Sequence, residues 1–122
     1  MSNSFEITVE SNFIRVQSYG RKDIEFATDL WTQMVKTCNE DNCFRVLGIS
    51  DTTVAMEAID GYEHARLFED LGIGPKYRIA WVELNEKARD MTIFIETVLI
   101  NRGLPGRLFD GETEAKAWLL GD

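Results

Sequence analysis

Residues 77–84 read YRIAWVEL, and this stretch decides the class of fold. Its apolar side chains fall on both faces of an extended chain, as expected of a strand that is buried inside a sheet. Residues 43–50, CFRVLGIS, show the same pattern over a length that is too short for a helix. The two stretches therefore predict two central strands.

Helical periodicity separates and follows these strands. Apolar residues recur at spacings of three and four over residues 26–38, which predicts an amphipathic helix that covers the sheet. The same reasoning predicts three further helices, over residues 62–71, 86–102 and 111–119. Residue types that cap helices bound these segments: Asp23, Asn85 and Asp110 at the N-termini, and Gly72 and Gly103 past the C-termini. Residues 51–61 have mixed periodicity and are left unassigned.

The N-terminal segment predicts a β-hairpin. Apolar and polar residues alternate over residues 5–9 and again over 14–17, and residues 11–12 form a two-residue loop between them. This register places Val9 opposite Ile14 and keeps the apolar pairs on one face of the ladder.

The full order of elements is β-β-α-β-α-β-α-β-α, with a short last strand over residues 107–109. Alternating strands and helices predict an α/β fold with a mostly parallel sheet. Strands added one after another in a single direction place the crossover helices on one face, with the first strand as an antiparallel edge. No linker interrupts the pattern, so residues 1–122 are expected to form a single domain.

The charge balance excludes several classes of partner. The chain has 13 basic and 21 acidic residues, a formal net charge of −8, and only Arg21 and Lys22 are adjacent basic residues. Dispersed basic residues disfavour nucleic acid and anionic membrane surfaces, which clustered Lys and Arg bind. The longest apolar stretch, residues 91–100, is about half of what a membrane-spanning helix needs. The N-terminus resembles no secretory signal, so a cytoplasmic location without membrane insertion is expected.

The closing part of the chain carries the most specific pattern. Residues 101–103 (NRG) end a predicted helix, residues 107–110 (RLFD) form a short strand, and residues 114–120 (EAKAWLL) form an Ala-x-x-Trp-Leu helix. In this pattern and in its order of elements, the chain resembles the STAS-like (anti-sigma-factor-antagonist-like) family, in particular its uncharacterised bacterial members. The resemblance implies a single STAS-like domain over 1–122 that acts as a non-catalytic regulatory or protein-interaction module.

The phosphorylation switch of that family does not carry over to this chain. In the switching members, a strand leads to an Asp-Ser-Ser-Gly turn that opens a helix, and a kinase phosphorylates a serine there. The matching residues 59–62 read Ile-Asp-Gly-Tyr, so Asp60 matches but Gly61 and Tyr62 occupy the serine positions.

Three hydroxyl side chains upstream of this point are alternative phosphorylation candidates: Ser50, Thr52 and Thr53. They are interpreted first as turn and capping residues, because Ser and Thr favour such places.

Reactive groups are few. His64 is the only histidine. A catalytic function would require His64, Asp60 and Tyr62 to line one pocket. Cys38 lies on the apolar stripe of its helix, and Cys43 is the first residue of a predicted buried strand. Both are therefore interpreted as core residues. Neither a metal site nor a cofactor is predicted.

The third helix carries the main functional hint. Ile93 and Phe94 make its apolar stripe wider than one sheet face requires, which indicates a partner interface or a pocket. The leading hypothesis is a protein-interaction module that binds a protein partner or forms a homodimer. The alternative is a carrier of a small apolar, lipid-like ligand between the third and fourth helices and the sheet.

Overall fold

A five-stranded sheet forms the centre of the chain in a computed structural model that describes residues 3–54 and 57–121. The strand order is β1-β2-β3-β4-β5; the β1–β2 pair is antiparallel and all other pairs are parallel. The strands are β1 (Ser4–Val9), β2 (Ile14–Arg21), β3 (Arg45–Val54), β4 (Arg78–Glu83) and β5 (Arg107–Phe109). The helices are α1 (Ile24–Asp41), α2 (Ala58–Asp70), α3 (Glu86–Asn101) and α4 (Glu112–Leu120). This architecture confirms the predicted α/β class and the antiparallel edge strand.

The hairpin register is the one that the alternation predicts. Val9 lies opposite Ile14, and the Glu10 N–H donates to the Phe13 carbonyl at 2.9 Å across the loop. The hydrophobic pattern sets this register because a shift of one residue would turn the apolar side chains of both strands to the opposite face.

Helices cover both faces of the sheet, unequally. The larger core holds side chains of α1, α2 and α3, so the three crossover helices share one face, as predicted. A smaller core on the other face is built around α4. The central strand β4 contributes to both: Ile79 and Trp81 belong to the larger core, and Ala80 and Val82 to the smaller one. Burial on both faces explains why its sequence shows no apolar–polar alternation.

Two of the three predicted N-caps are confirmed. Asp23 accepts the Phe26 N–H at 2.9 Å, and Asn85 accepts the Lys87 N–H at 3.0 Å. The prediction for Asp110 is wrong, because α4 begins one residue later and Gly111 is its N-cap. The Asp110 carboxylate instead forms an ion pair with Arg89 at 2.7 Å.

The boundaries near the unassigned segment also differ from the prediction. Strand β3 continues to Val54 instead of ending at Ser50, and α2 begins at Ala58 instead of Tyr62. Residues 55–56, which were part of the unassigned segment, lie outside the described residues. Gly61 lies within α2, and the lack of a side chain there lets α3 pass close by, since a Cβ would be 2.8 Å from Phe94 Cε2.

Candidate functional site

The carboxyl ends of β3 and β4 meet at one edge of the sheet around a buried acidic side chain. Glu83 is only 3% exposed. Its carboxylate accepts the Ser50 hydroxyl at 2.8 Å, the Thr52 hydroxyl at 2.6 Å and the Thr52 N–H at 3.0 Å. The Asn85 N–H donates to the same carboxylate at 3.2 Å. Four donors therefore compensate the desolvation of one buried carboxylate.

This network bears on two of the three predicted phosphorylation candidates. Ser50 and Thr52 are buried, and both hydroxyls are engaged with Glu83. A kinase would have to open this edge of the sheet to reach either of them, whereas Thr53 is exposed. Phosphorylation at the three positions stays a prediction.

A lysine lies beside the same edge. The Lys22 ammonium nitrogen is 5.0 Å from the centroid of the Trp81 ring, a distance at which a cation is attracted to an aromatic face. Desolvation lowers the pKa of Lys22, while the negative charge of Glu83 acts in the opposite direction.

The single histidine is buried, not surface-exposed. His64 is 3% exposed, and its Nε2 accepts the Trp31 indole N–H at 2.7 Å. Its Nδ1 has no hydrogen-bond partner among the described residues. Burial, with a smaller contribution from the positive charge of Lys22, lowers the pKa of His64 to about 3. The imidazole is therefore neutral at physiological pH, and because Nε2 accepts a hydrogen bond, Nδ1 carries the proton.

A cavity of about 50 Å³ lies between this histidine, the sheet and α3. Its walls are mostly apolar, with Phe68, Ile79 and Ile95 among them, and the side chains of Lys22 and Glu96 also line it. This cavity is not the pocket predicted between the third and fourth helices and the sheet, and that pocket stays a prediction. Helix α4 packs on the opposite face of the sheet and does not border this cavity.

The structure does not bring together the three side chains that an enzyme would require. His64 faces the interior, whereas Tyr62 is half exposed and makes an edge-to-face contact with the Phe94 ring at 5.4 Å. Asp60 is partly buried in the first turn of α2, and neither Asp60 nor Tyr62 lines the cavity. Helical spacing turns Tyr62 away from the other two residues, because two residues along a helix correspond to a rotation of about 200°, whereas Asp60 and His64 are four residues apart and lie on the same side of α2.

Large apolar side chains are exposed at this edge and on the helices α2 and α3 beside it. Ile93 is 43% exposed beside the half-buried Phe94. Val54, Ile59 and Leu84, which the sequence analysis did not single out, are also exposed. Their positions were the available signal: Leu84 is the last residue of a predicted strand, and Val54 and Ile59 lie in the unassigned segment. We name the set formed by Val54, Ile59, Tyr62, Leu84 and Ile93 the apolar rim.

Neither cysteine belongs to a cluster of potential metal ligands among the described residues. Cys38 is fully buried, with its Sγ 3.3 Å from the Met34 sulfur, as expected of a core residue. Burial raises the pKa of the Cys38 thiol to about 12. Cys43 is half buried. Over residues 3–54 and 57–121, no three His, Cys, Asp or Glu side chains gather in a way that would hold a metal ion.

Comparisons with known proteins place this geometry in a fold class. No family model matches the chain, and no curated protein matches its sequence. Among solved structures, an anti-sigma factor antagonist from Mycobacterium paratuberculosis aligns with a TM-score of 0.66 at 11% identity, over 98% of this chain and 96% of that one. The predicted STAS-like fold is therefore confirmed.

A second solved structure agrees. An uncharacterised protein of the DUF3478 family with a SpoIIAA-like fold, from Shewanella loihica PV-4, aligns with a TM-score of 0.56 at 13% identity, over 96% of this chain and 93% of that one. At such identities the likeness defines the fold and not the activity. None of the described helices is both long and apolar enough to cross a membrane.

Proposed function

We propose that the chain is a non-catalytic regulatory module that binds another protein through the apolar rim. The observation that carries the proposal is that exposed apolar side chains recur where β3 and β4 end and on the neighbouring helices α2 and α3. The fold supports it, because one protein with this fold is an anti-sigma factor antagonist.

The apolar rim contains most of the exposed large apolar side chains among the described residues. Of the eight large apolar side chains that the described residues expose, five belong to the rim. Val54 ends β3, and Leu84 follows β4 at the same edge. Ile59 and Tyr62 are three residues apart near the start of α2 and are therefore neighbours on its surface. Clustered exposed apolar side chains mark interaction sites, whereas single ones need no explanation.

The charges around the rim favour a different protein over a second copy of this chain. Residues 51–54, 57–63 and 84–93 contain six acidic and two basic side chains. One of the two basic side chains, Arg89, is paired with Asp110. Two copies that met through this face would bring like charges together, which is unfavourable. We therefore infer a partner whose contact surface is apolar at its centre and basic at its border.

Substitutions at the apolar rim, compared with one at a distant exposed position, test the proposal. Ile59→Asp and Tyr62→Asp place a charge on the rim, whereas Ile100→Asp places one on an exposed apolar position at the far end of α3. Affinity capture from the source cells, followed by titration of each recovered partner against the purified chain, should show binding lost in the first two variants. Ile100→Asp should bind normally.

Two outcomes contradict the proposal. Recovered partners that bind all three variants equally would place the interface elsewhere. Light scattering that shows a dimer, which Ile59→Asp dissociates, would assign the rim to a homodimer, the occupant that the charges disfavour.

A second candidate function rests on the cavity between α3 and the sheet. A volume of about 50 Å³ accommodates about three to five non-hydrogen atoms, if one water-sized atom needs about 10–15 Å³. This cavity is too small for an acyl chain, so the candidate function that rests on it concerns small molecules and not lipid-like ligands. Native mass spectrometry of the purified protein tests it, since a retained small molecule adds its mass to that of the chain.

A further inference from the structure

Three neighbouring parallel strands of the sheet begin with an arginine. Arg45, Arg78 and Arg107 are the first residues of β3, β4 and β5. Arg45 lies opposite Arg78, and Arg107 lies opposite Ala80. Because side chains alternate between the two faces along a strand, all three arginines belong to the face that α4 covers, as Ala80 does. The fold therefore gathers basic residues that are far apart in sequence at the amino edge of the sheet.

These arginines line a groove of about 610 Å³ at that edge, which we name the amino-edge groove. Its size falls in the range of about 300–1,000 Å³ that small-molecule sites occupy. Lys76 is a fourth basic residue in its wall, and its ammonium nitrogen lies 4.3 Å from the centroid of the Phe44 ring. The guanidinium carbon of Arg78 lies 3.8 Å from the centroid of the Trp118 ring. Such contacts hold a cation in place but leave its charge uncompensated, because the ring carries no net charge.

Backbone carbonyls orient the three guanidinium groups without neutralising them. Arg45 donates to the Leu119 carbonyl at 3.1 Å, and Arg78 donates twice to the Trp118 carbonyl, at 2.7 and 3.1 Å. Arg107 donates to the carbonyl of the preceding residue at 2.8 Å. The first two arginines thus cap the last turn of α4, but a helix end supplies only about half a negative charge. At least three of the five N–H donors of each guanidinium group remain without a partner among the described residues.

The part of the chain that the structure describes provides no acidic counterpart for these four positive charges. No acidic side chain of that part lines the groove, and none of its ion pairs involves any of the four basic residues. Like charges that lie side by side destabilise a sheet, so this arrangement favours a bound anion. The net charge of −8 limits the size of the anion, because a long polyanion or an acidic protein would also meet the negative surface outside the groove.

We propose that the amino-edge groove binds a small molecule that carries at least two oxyanion groups, carboxylates or phosphates. Guanidinium groups bind both kinds of oxyanion in a bidentate geometry. The proposal goes beyond the functions proposed above and does not depend on them. The groove lies at the amino ends of the strands, whereas the apolar rim lies at the carboxyl ends of β3 and β4 and on α2 and α3.

Isothermal titration calorimetry at low ionic strength tests the proposal with pyrophosphate and citrate as probes. At least one of them should bind about tenfold more tightly than acetate, which has a single oxyanion group. The probe that binds more tightly identifies phosphate or carboxylate as the preferred group. Both probes are larger than the about three to five non-hydrogen atoms that the cavity beside α3 accommodates, so their binding does not report on that cavity.

Matched variants locate the binding. Arg45→Gln and Lys76→Gln each remove one positive charge from the groove and should raise the dissociation constant of the tighter probe about fivefold to tenfold. Arg66→Gln and Lys87→Gln remove the same charges from exposed positions on α2 and α3. They should change the dissociation constant less than about twofold, because solvent and salt screen charges outside the groove.

Two outcomes overturn the proposal. If neither pyrophosphate nor citrate binds more tightly than acetate, the groove holds no site for a polyvalent anion. If the groove variants and their controls weaken binding equally, the probes respond to the overall charge of the chain. If one groove variant does not fold, the comparison of the other with its own control decides between these results.

Discussion

The indole ring of Trp81 lies directly over Gly48, its register partner on the neighbouring parallel strand. A Cβ at Gly48 would overlap carbons of the six-membered ring of Trp81. The Trp81 indole N–H donates to the Ser50 hydroxyl at 3.0 Å, and this hydroxyl in turn donates to Glu83. The missing side chain at Gly48 thus allows Trp81 to connect the larger core to the polar network at the carboxyl edge of the sheet.

Gly48→Ala should destabilise the fold by about 3 kcal/mol, because the new methyl group forces the Trp81 ring out of its place in a packed core. Chemical denaturation measures this change. Gly74→Ala is the matched control, since a Cβ there meets no atom within 4 Å, and its effect should be small. Equal stabilities of the two variants would contradict the close approach of Trp81.

Glu83→Gln should cost about 2–4 kcal/mol of stability. Hydroxyls of Ser50 and Thr52 and two backbone N–H groups point at the carboxylate, and a Gln amide would present its NH₂ group to some of these donors. Glu86→Gln, on an exposed position of the same region, should stay within about 0.5 kcal/mol of the unmodified chain. Urea unfolding of both variants provides the measurement.

The stability of the protein should fall as the pH decreases below about 6.5, the ordinary pKa of histidine. The folded-state pKa of His64 is about 3, so between these two values the unfolded chain takes up a proton that the folded chain does not. The contribution of His64 is complete above pH 6.5 and declines by about 1.4 kcal/mol per pH unit below it. An NMR titration of the single imidazole should show no protonation down to pH 5; a midpoint near 6.5 would refute the burial of His64.

The two cysteines should differ strongly in reactivity. Cys38 is fully buried and its thiol pKa is raised to about 12, so it lacks both access and thiolate character at neutral pH. Cys43 is half buried. A thiol reagent at pH 8 should therefore modify Cys43 in the native protein and both cysteines in denaturant, as counted by mass spectrometry. Rapid modification of Cys38 in the native state would show that α1 opens away from the sheet.

The candidate site depends on the burial of His64 and Glu83, which no local sequence pattern indicates. His64 falls on a helix among charged neighbours, Glu63 and Arg66, and a pattern of that kind indicates a surface position. The helix turns His64 inward because it lies three residues after the buried Gly61 and four before the buried Phe68. The burial of Glu83 was not predicted, since an acidic residue at a strand end is ordinarily solvated.

The order of the elements, the hairpin register and two helix caps followed from the chain alone, because they depend on side-chain periodicity and on contacts between residues close in sequence. The hydrogen bond of His64 to Trp31, the donors around Glu83 and the cavity beside α3 join residues from different elements. Only the packing of helices on the sheet decides which of these side chains meet, since burial and partner choice depend on distances that no local pattern encodes. The same packing decides the apolar rim, which draws on the ends of β3 and β4 and on the helices beside them.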